Sequence, residues 1–342
     1  MDAVLLVSFG GPESVPEVMP FLHRVTGGRD VPAERLRQVA EHYLARGGVS
    51  PINAQNRRLR AALADTLAPD GLAVYWGNRN SAPWLADALG QMSADGVTRA
   101  IAVLTSAYSS YSGCRQYRED LAGAMPDAVD LEMVKIPPYY NAPGFVRASL
   151  AHLHAGLEAA QPDAHVLFTT HSLPVAMAQV AGIGGGQYVA QHRELAGHLI
   201  DQVAVRNGHT HPWDLVFQSR SGPPQVPWLE PDVNDHLTRL AERGVREVVV
   251  VPIGFVSDHM EVVQDLDTEA AATAASLGIR FLRAKTVAEH PAFVAGIADW
   301  VRDVRAGRTP EVAFGRPLPT RCPVGCCPNP RSPKPALCEE AL

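Results

Sequence analysis

Eight short runs rich in Val, Ile, Leu and Ala recur along the 342-residue chain with helical or irregular stretches between them: Ala3–Phe9, Ala73–Gly77, Ala100–Thr105, Leu131–Lys135, His165–Thr170, Leu215–Gln218, Glu247–Pro252 and Ile279–Leu282. A run that is apolar at successive rather than alternate positions suits a strand buried on both faces. Such strands, separated by helices, build parallel α/β sheets. Four runs fall in each half, and the length suits two domains. The expectation is therefore two Rossmann-like domains, each a four-stranded parallel sheet flanked by helices. The boundary is best placed at Gln161-Pro162-Asp163, after the helical pattern Pro143–Ala160. This divides the chain into residues 1–160, 161–306 and a Cys/Pro-rich extension, 307–342, where periodicity disappears and an irregular tail is expected. Within the first half, Leu36, Val39, Ala40, Tyr43 and Leu44 form a helical stripe in Glu34–Arg46, expected to pack on a sheet.

Composition narrows the function classes. Net charge is −6, which argues against a broad cationic surface for nucleic acid. There is no apolar run long enough to span a bilayer, and the start Met1-Asp2-Ala3-Val4 lacks the pattern of a secretory signal. A cytoplasmic protein without a transmembrane segment is expected. No Walker A loop is present, and neither Arg46–Ser50 nor Gly182–Gly186 carries the dinucleotide fingerprint.

Ligands of doubly wound sheets settle at the carboxyl ends of strands, so polar residues there are the candidates. The strand His165–Thr170 runs into His171-Ser172-Leu173-Pro174, placing an imidazole at such an end. An imidazole titrating near ~6.5 can accept a proton or ligate a metal at neutral pH. The run Val248–Val251 breaks at Pro252-Ile253-Gly254 and opens a helix carrying Glu261, Asp265 and Glu269 at i, i+4, i+8. On an α-helix these carboxylates are ~5–6 Å apart and repel unless a cation or a proton relieves them. A file of hard oxygens suits a hydrated divalent ion; a solvated acidic face is the plain alternative. The Pro/Gly-rich loop Gln218–Asp232 holds Trp228, either ordinary packing or a wall for a flat ligand. Tyr108–Tyr117 gathers hydroxyls and Arg115 after a strand, fit for an anionic group or for a capping turn. Arg29 and Ser50 are similar candidates, and Val15, Val18, Met19, Phe21 and Leu22 could line an apolar lip or a buried helix face.

Taken in order, Ser8-Phe9-Gly10-Gly11-Pro12, Gly47-Gly48-Val49-Ser50-Pro51, Thr170-His171-Ser172-Leu173-Pro174 and Gly254–Glu261 make the chain resemble the ferrochelatase family along nearly its whole length. The resemblance implies the class II chelatase fold and insertion of Fe(II) into a free porphyrin with release of two protons. It implies His171 and Glu261 as the catalytic, metal-binding pair, and Asp265 and Glu269 as the acidic row that guides metal inward. More loosely it implies Arg29, Ser50, Tyr117 and Trp228 as porphyrin contacts. Two departures stand out: Phe9 where several relatives have tyrosine, and Ala107 where many have histidine. The likeness is to the short, soluble bacterial branch, which implies coproporphyrin III as substrate and coproheme as product, with a monomer expected. Protoporphyrin IX remains an alternative substrate. A cobalt or nickel chelatase of an earlier tetrapyrrole, or a bilobal haem- or metal-binding protein without chemistry, are the other readings.

Five cysteines are present, four of them in the last twenty-one residues, and Cys322, Cys326 and Cys327 lie close together. In a cytosolic chain this favours metal ligation over disulfides. Cys114, Cys322, Cys326 and Cys327 can hold a [2Fe–2S] cluster, as the resemblance to actinobacterial ferrochelatases implies, with Cys338 spare; a zinc site or a loose tail is the alternative.

Overall fold

The computed structural model describes residues 1–27, 31–125, 131–223 and 225–340. Its strands are β1 (Asp2–Ser8), β2 (Ala73–Asn78), β3 (Arg99–Leu104), β4 (Glu132–Lys135), β5 (His165–His171), β6 (Trp213–Gln218), β7 (Glu247–Val251) and β8 (Arg280–Arg283), with short β9 (Cys322–Pro323) and β10 (Glu339–Glu340) in the tail. The helices are α1 (Val15–Thr26), α2 (Ala33–Leu44), α3 (Ile52–Leu67), α4 (Leu85–Ala94), α5 (Gln116–Ala124), α6 (Pro143–Glu158), α7 (Val175–Gln179), α8 (Gln187–Asn207), α9 (Val233–Glu242), α10 (Met260–Val262), α11 (Ala271–Ser276) and α12 (Pro291–Arg305).

Two parallel four-stranded sheets form, in the orders β2-β1-β3-β4 and β6-β5-β7-β8. The topology is the same in each half. The apolar runs do what continuous hydrophobicity requires: Ala3 to Val7 and Val166 to Phe168 are fully buried, with side chains entering the layers on both faces.

Two helices cross between the halves. α6, which precedes β5, packs on β7 and α8, whereas α12, near the end, packs on α3, α6 and β3. Gly144 of α6 and Gly296 of α12 let the two helices touch: a Cβ on Gly144 would lie 2.5 Å from the Ala292 carbonyl oxygen. Arg302 and Arg305 of α12 reach Asp70 and Asp2 at 2.8 and 2.9 Å.

Two expectations need correction. The stripe on α2 does not pack on a sheet: Leu36, Ala40 and Tyr43 join Val18, Phe21 and Leu22 of α1 and Met260 in a separate apolar cluster. The helical period shows that a face is buried, not what covers it. The tail is not wholly irregular either, since β9 and β10 pair in parallel. It docks on the first half through Arg115–Glu339 and through hydrogen bonds from Arg118 to the Leu337 carbonyl and from Asn329 to Glu119.

Candidate active site

His171 closes β5, at the carboxyl end of its sheet. The turn after β7 can approach this end because Gly254 has no side chain: a Cβ there would fall 2.1 Å from Thr170 Oγ1. That approach carries Glu261 across to His171, Nε2 to Oε2 being 3.6 Å. His171 Nδ1 lies 2.5 Å from the Ser172 carbonyl, which can only accept, so Nδ1 carries the proton and Nε2 is the working nitrogen. The Tyr188 hydroxyl donates to the His171 carbonyl at 2.8 Å and holds the strand end in place.

The separation is too long for a hydrogen bond and near the ~3.3 Å expected between two ligands each ~2.1 Å from one tetrahedral ion. The side chains are 30% and 52% exposed, so they face a solvent-open cleft and water screens their attraction. Burial alone would keep the His171 imidazole neutral; the Glu261 carboxylate outweighs it and raises the pKa above the ordinary histidine value. Partial desolvation within the cleft likewise opposes the charge on the half-exposed Glu261, but His171 and then His259 pull its pKa down to about 2.

The acids behind Glu261 are not on an ordinary α-helix. Between α10 and α11, Val263–Ala270 winds as a π-helix, which corrects the α-helical spacing expected from sequence. Bonds from i to i+5 widen the turn, a form that recurs at functional sites and that local sequence does not announce. Asp265 accepts from Ser219 and, at 3.4 Å, from Gln218 Nε2, with Ser219 in the left-handed region at φ 62°. Burial first, and then Glu261 and Glu269, push the Asp265 pKa up to about 7 against the Ser219 hydroxyl, so a proton relieves part of the repulsion in the row. Glu269 is exposed at the outer end, where it accepts from Gln264 Nε2 at 3.1 Å. The first half grips this helix: Arg46 donates to Thr268 Oγ1 at 2.6 Å, and Gln55 accepts from the Asp258 amide at 2.7 Å. Arg283 pins Asp258 and Asp267 at 3.1 and 2.6 Å.

Sequence reasoning missed His259 and Tyr43 as part of the site. His259 Nδ1 lies 3.9 Å from Glu261 Oε2, and burial and the neighbouring His171 keep its pKa low despite Glu261. Burial raises the Tyr43 pKa, and the nearby Glu261 raises it further. His259 is two residues before Glu261 and could have been read from the motif. Tyr43 could not, because only the tertiary fold brings α2 over α10.

The other candidates are scattered. Arg29 lies outside the described residues. Ser50 is buried beneath the turn after β1, where Gly11 is glycine because a Cβ would meet Ser50 Cβ at 2.6 Å. Tyr117 is buried under the Arg79 guanidinium, 4.4 Å from its ring centroid. Trp228 is half-buried and pairs through its backbone with Pro174, three residues beyond His171. Phe9 stacks edge-on against Phe21, and Ala107 is buried.

Four thiols form a chain of contacts: Cys114 with Cys322, Cys322 with Cys326, and Cys326 with Cys327 at 3.9 Å. Cys338 turns aside to the Met133 carbonyl at 3.4 Å. The Gly182 amide donates to Cys327 Sγ at 3.0 Å. Beside these sulfurs are Lys135 and Arg118, 1% and 0% exposed; Lys135 Nζ and Arg118 Nε and Nη2 have no hydrogen-bond partner among the described residues. Burial disfavours the Arg118 cation, but Cys114 and Cys322, with Glu339, outweigh it. Buried cations of this kind call for an anionic neighbour.

The two parallel sheets of one strand order, with a histidine–glutamate pair at a strand end between them, have the class II chelatase fold. SirB from Bacillus subtilis with Fe3+ matches the fold with a TM-score of 0.52 at 10% identity, covering 90% of this chain and 96% of that one. The sequence profile of the ferrochelatase family matches residues 1–304, and the chain belongs to that family, whose members are lyases. The coproporphyrin III ferrochelatase of Streptomyces griseus is 50% identical over 98% of this chain and 95% of its own length. That of Frankia alni is 51% identical over 97% of this chain and 87% of its own length.

Proposed function

We propose that this chain inserts Fe(II) into coproporphyrin III, giving coproheme and releasing two protons. The observation that carries the reading is the His171–Glu261 pair, 3.6 Å apart at the head of the acidic row. Glu261, ionised at any physiological pH, receives the iron from Asp265 and Glu269. His171, whose pKa is raised, accepts a pyrrole proton at Nε2. The second proton passes by way of Glu261 to Asp265, whose carboxyl near 7 takes up and releases protons with equal ease. The porphyrin lies against Val15 and Met19, the exposed apolar residues of α1, with Trp228 beside the His171 turn. Arg29, Ser50 and Tyr117 are proposed at the porphyrin site by resemblance, Arg29 as a contact and the buried Ser50 and Tyr117 as supports beneath it. Bending the macrocycle toward the ion uses binding energy to offset strain of about 1–5 kcal/mol.

Cys114, Cys322, Cys326 and Cys327 fit a [2Fe–2S] cluster, because four thiolates around such a centre leave a net negative charge that Lys135 and Arg118 would neutralise. Bound there, the cluster supplies one-electron chemistry. Metal insertion is not a redox step, and the residues at the strand end carry it.

Residues 1–160 and 161–306 are proposed as the two domains, each side of the cut holding one sheet, with 307–342 as an extension. Among the described residues no helix is long and apolar enough to cross a membrane. A monomer in the cytoplasm is proposed.

The test mixes purified protein anaerobically with Fe(II) and either coproporphyrin III or protoporphyrin IX and follows porphyrin absorbance. Faster metallation of coproporphyrin III is expected. Preference for protoporphyrin IX overturns the substrate, and metallation of neither overturns the enzyme reading.

A further inference from the structure

At the opposite end of the second sheet, three side chains that the reaction does not use converge. His165 opens β5, Asp214 is the second residue of β6, and His236 projects from α9, whose start is capped by Asp232 accepting from the Asn234 amide at 2.8 Å. β5 and β6 are adjacent and parallel, with Leu167 opposite Asp214, so the strand pairing and the packing of α9 fix all three positions. His165 Nε2 and His236 Nε2 lie 2.8 and 2.9 Å from the same oxygen, Asp214 Oδ2. His171 sits at the other end of β5, about 20 Å away at ~3.3 Å per residue.

We infer that His165, Asp214 and His236 form a second metal site, for a divalent ion of the Zn2+ type, separate from the chelatase centre. The three ligand atoms all lie within 4.8 Å of one another, the one such group among the described residues. Two imidazoles and one carboxylate are a borderline donor set that suits Zn2+ and its neighbours and not Ca2+ or Mg2+. Ligands ~2.0–2.1 Å from a tetrahedral ion are ~3.3 Å apart, so the side chains need to part by only about 0.5 Å from their present spacing. The two histidines are buried, and their shared contact with Asp214 Oδ2 holds both rings pointing at one place, so the donor set is preorganised. Asp214 is 39% exposed, so the fourth position opens to water and the ion has a way in. Arg243 acts on His165 as a cation and is a charge that bound metal must tolerate. Occupied, the site ties β5, β6 and α9 together.

Equilibrium dialysis against ZnCl2 counts the ions. The full-length H171A/E261Q chain removes the chelatase ligands, and H236Q or D214N is added to that background. Each added substitution should lower the zinc bound by one ion per chain and abolish a zinc-dependent rise in Tm. Equal stoichiometry in the background and in both folded triple variants overturns the site. Should the variants misfold, zinc-edge anomalous diffraction from soaked wild-type crystals decides: a peak between the three side chains supports the site and its absence overturns it. H236Q alone should leave iron insertion in an otherwise wild-type chain within twofold.

Discussion

The two sheets share one strand order, yet the ends of their equivalent central strands have opposite characters. β1 ends at Ser8, with Phe9 next, packed among α1 residues and unable to ligate; β5 ends at His171, with Glu261 facing it. The first half presents the exposed apolar Val15 and Met19 and the grips of Arg46 and Gln55, while the second presents imidazoles and a file of carboxylates. A duplicated fold thus differs by side chain rather than by backbone, and the proposed function assigns the flat apolar ligand to one half and the ions and protons to the other.

The sharpest way to break this contrast is to remove the ionic pair. H171A and E261Q should each lower kcat for iron insertion by about 10²–10⁴-fold, the usual worth of a positioned acid–base group, whereas F9Y on the opposite half should stay within about threefold. A large effect of F9Y would mean that both strand ends share the ion. Next in size, C326S should abolish the visible absorption and labile sulfide of anaerobically purified protein; a wild type without either removes the cluster. Removing the outer acid should act on iron alone: E269Q should raise the apparent KM for Fe(II) about three- to tenfold and leave that for porphyrin unchanged, and equal effects on both would deny Glu269 a place in the ion path.

Asp265 gives the smallest effect and a definite sign. Its pKa is raised from the usual carboxylate range to about 7, so between ~4 and 7 the folded chain holds a proton that the unfolded chain has lost. Stability contributed by this group is therefore greatest at low pH and falls as pH rises toward 7. D265N, uncharged throughout, should be more stable than wild type above pH 7 by about 1–2 kcal/mol, a value discounted for solvent screening, and as stable as wild type near pH 4. It should also flatten the limb of the rate profile that rises near pH 7. Denaturant melts at both pH values and a rate profile check these outcomes.

All eight sheet strands were legible in sequence to within about two residues at either end, the central ones because strands buried on both faces must be apolar throughout, although the edge strand β8 is only partly buried and carries Arg280 and Arg283. His171 and the acids were legible because they follow such strands directly. What local pattern does not encode was missed: the π-helix that carries Asp265 and Glu269, Tyr43 brought over Glu261 by the docking of α2, and the buried Lys135 and Arg118 beside the thiols. Lys135 in particular closes the strand run Leu131–Lys135 and looks from sequence like a solvated end, although it is buried in the fold.

The exchange of α6 and α12 between the halves has a consequence for how the protein can be cut. A fragment ending at residue 160 would leave with the helix that covers β7 and without the one that covers β3, exposing an apolar face on each piece. Neither half is then a self-sufficient folding unit. The two should be recoverable only when expressed together, by mutual complementation, and the His171–Glu261 pair between them inherits the rigidity of that mutual dependence.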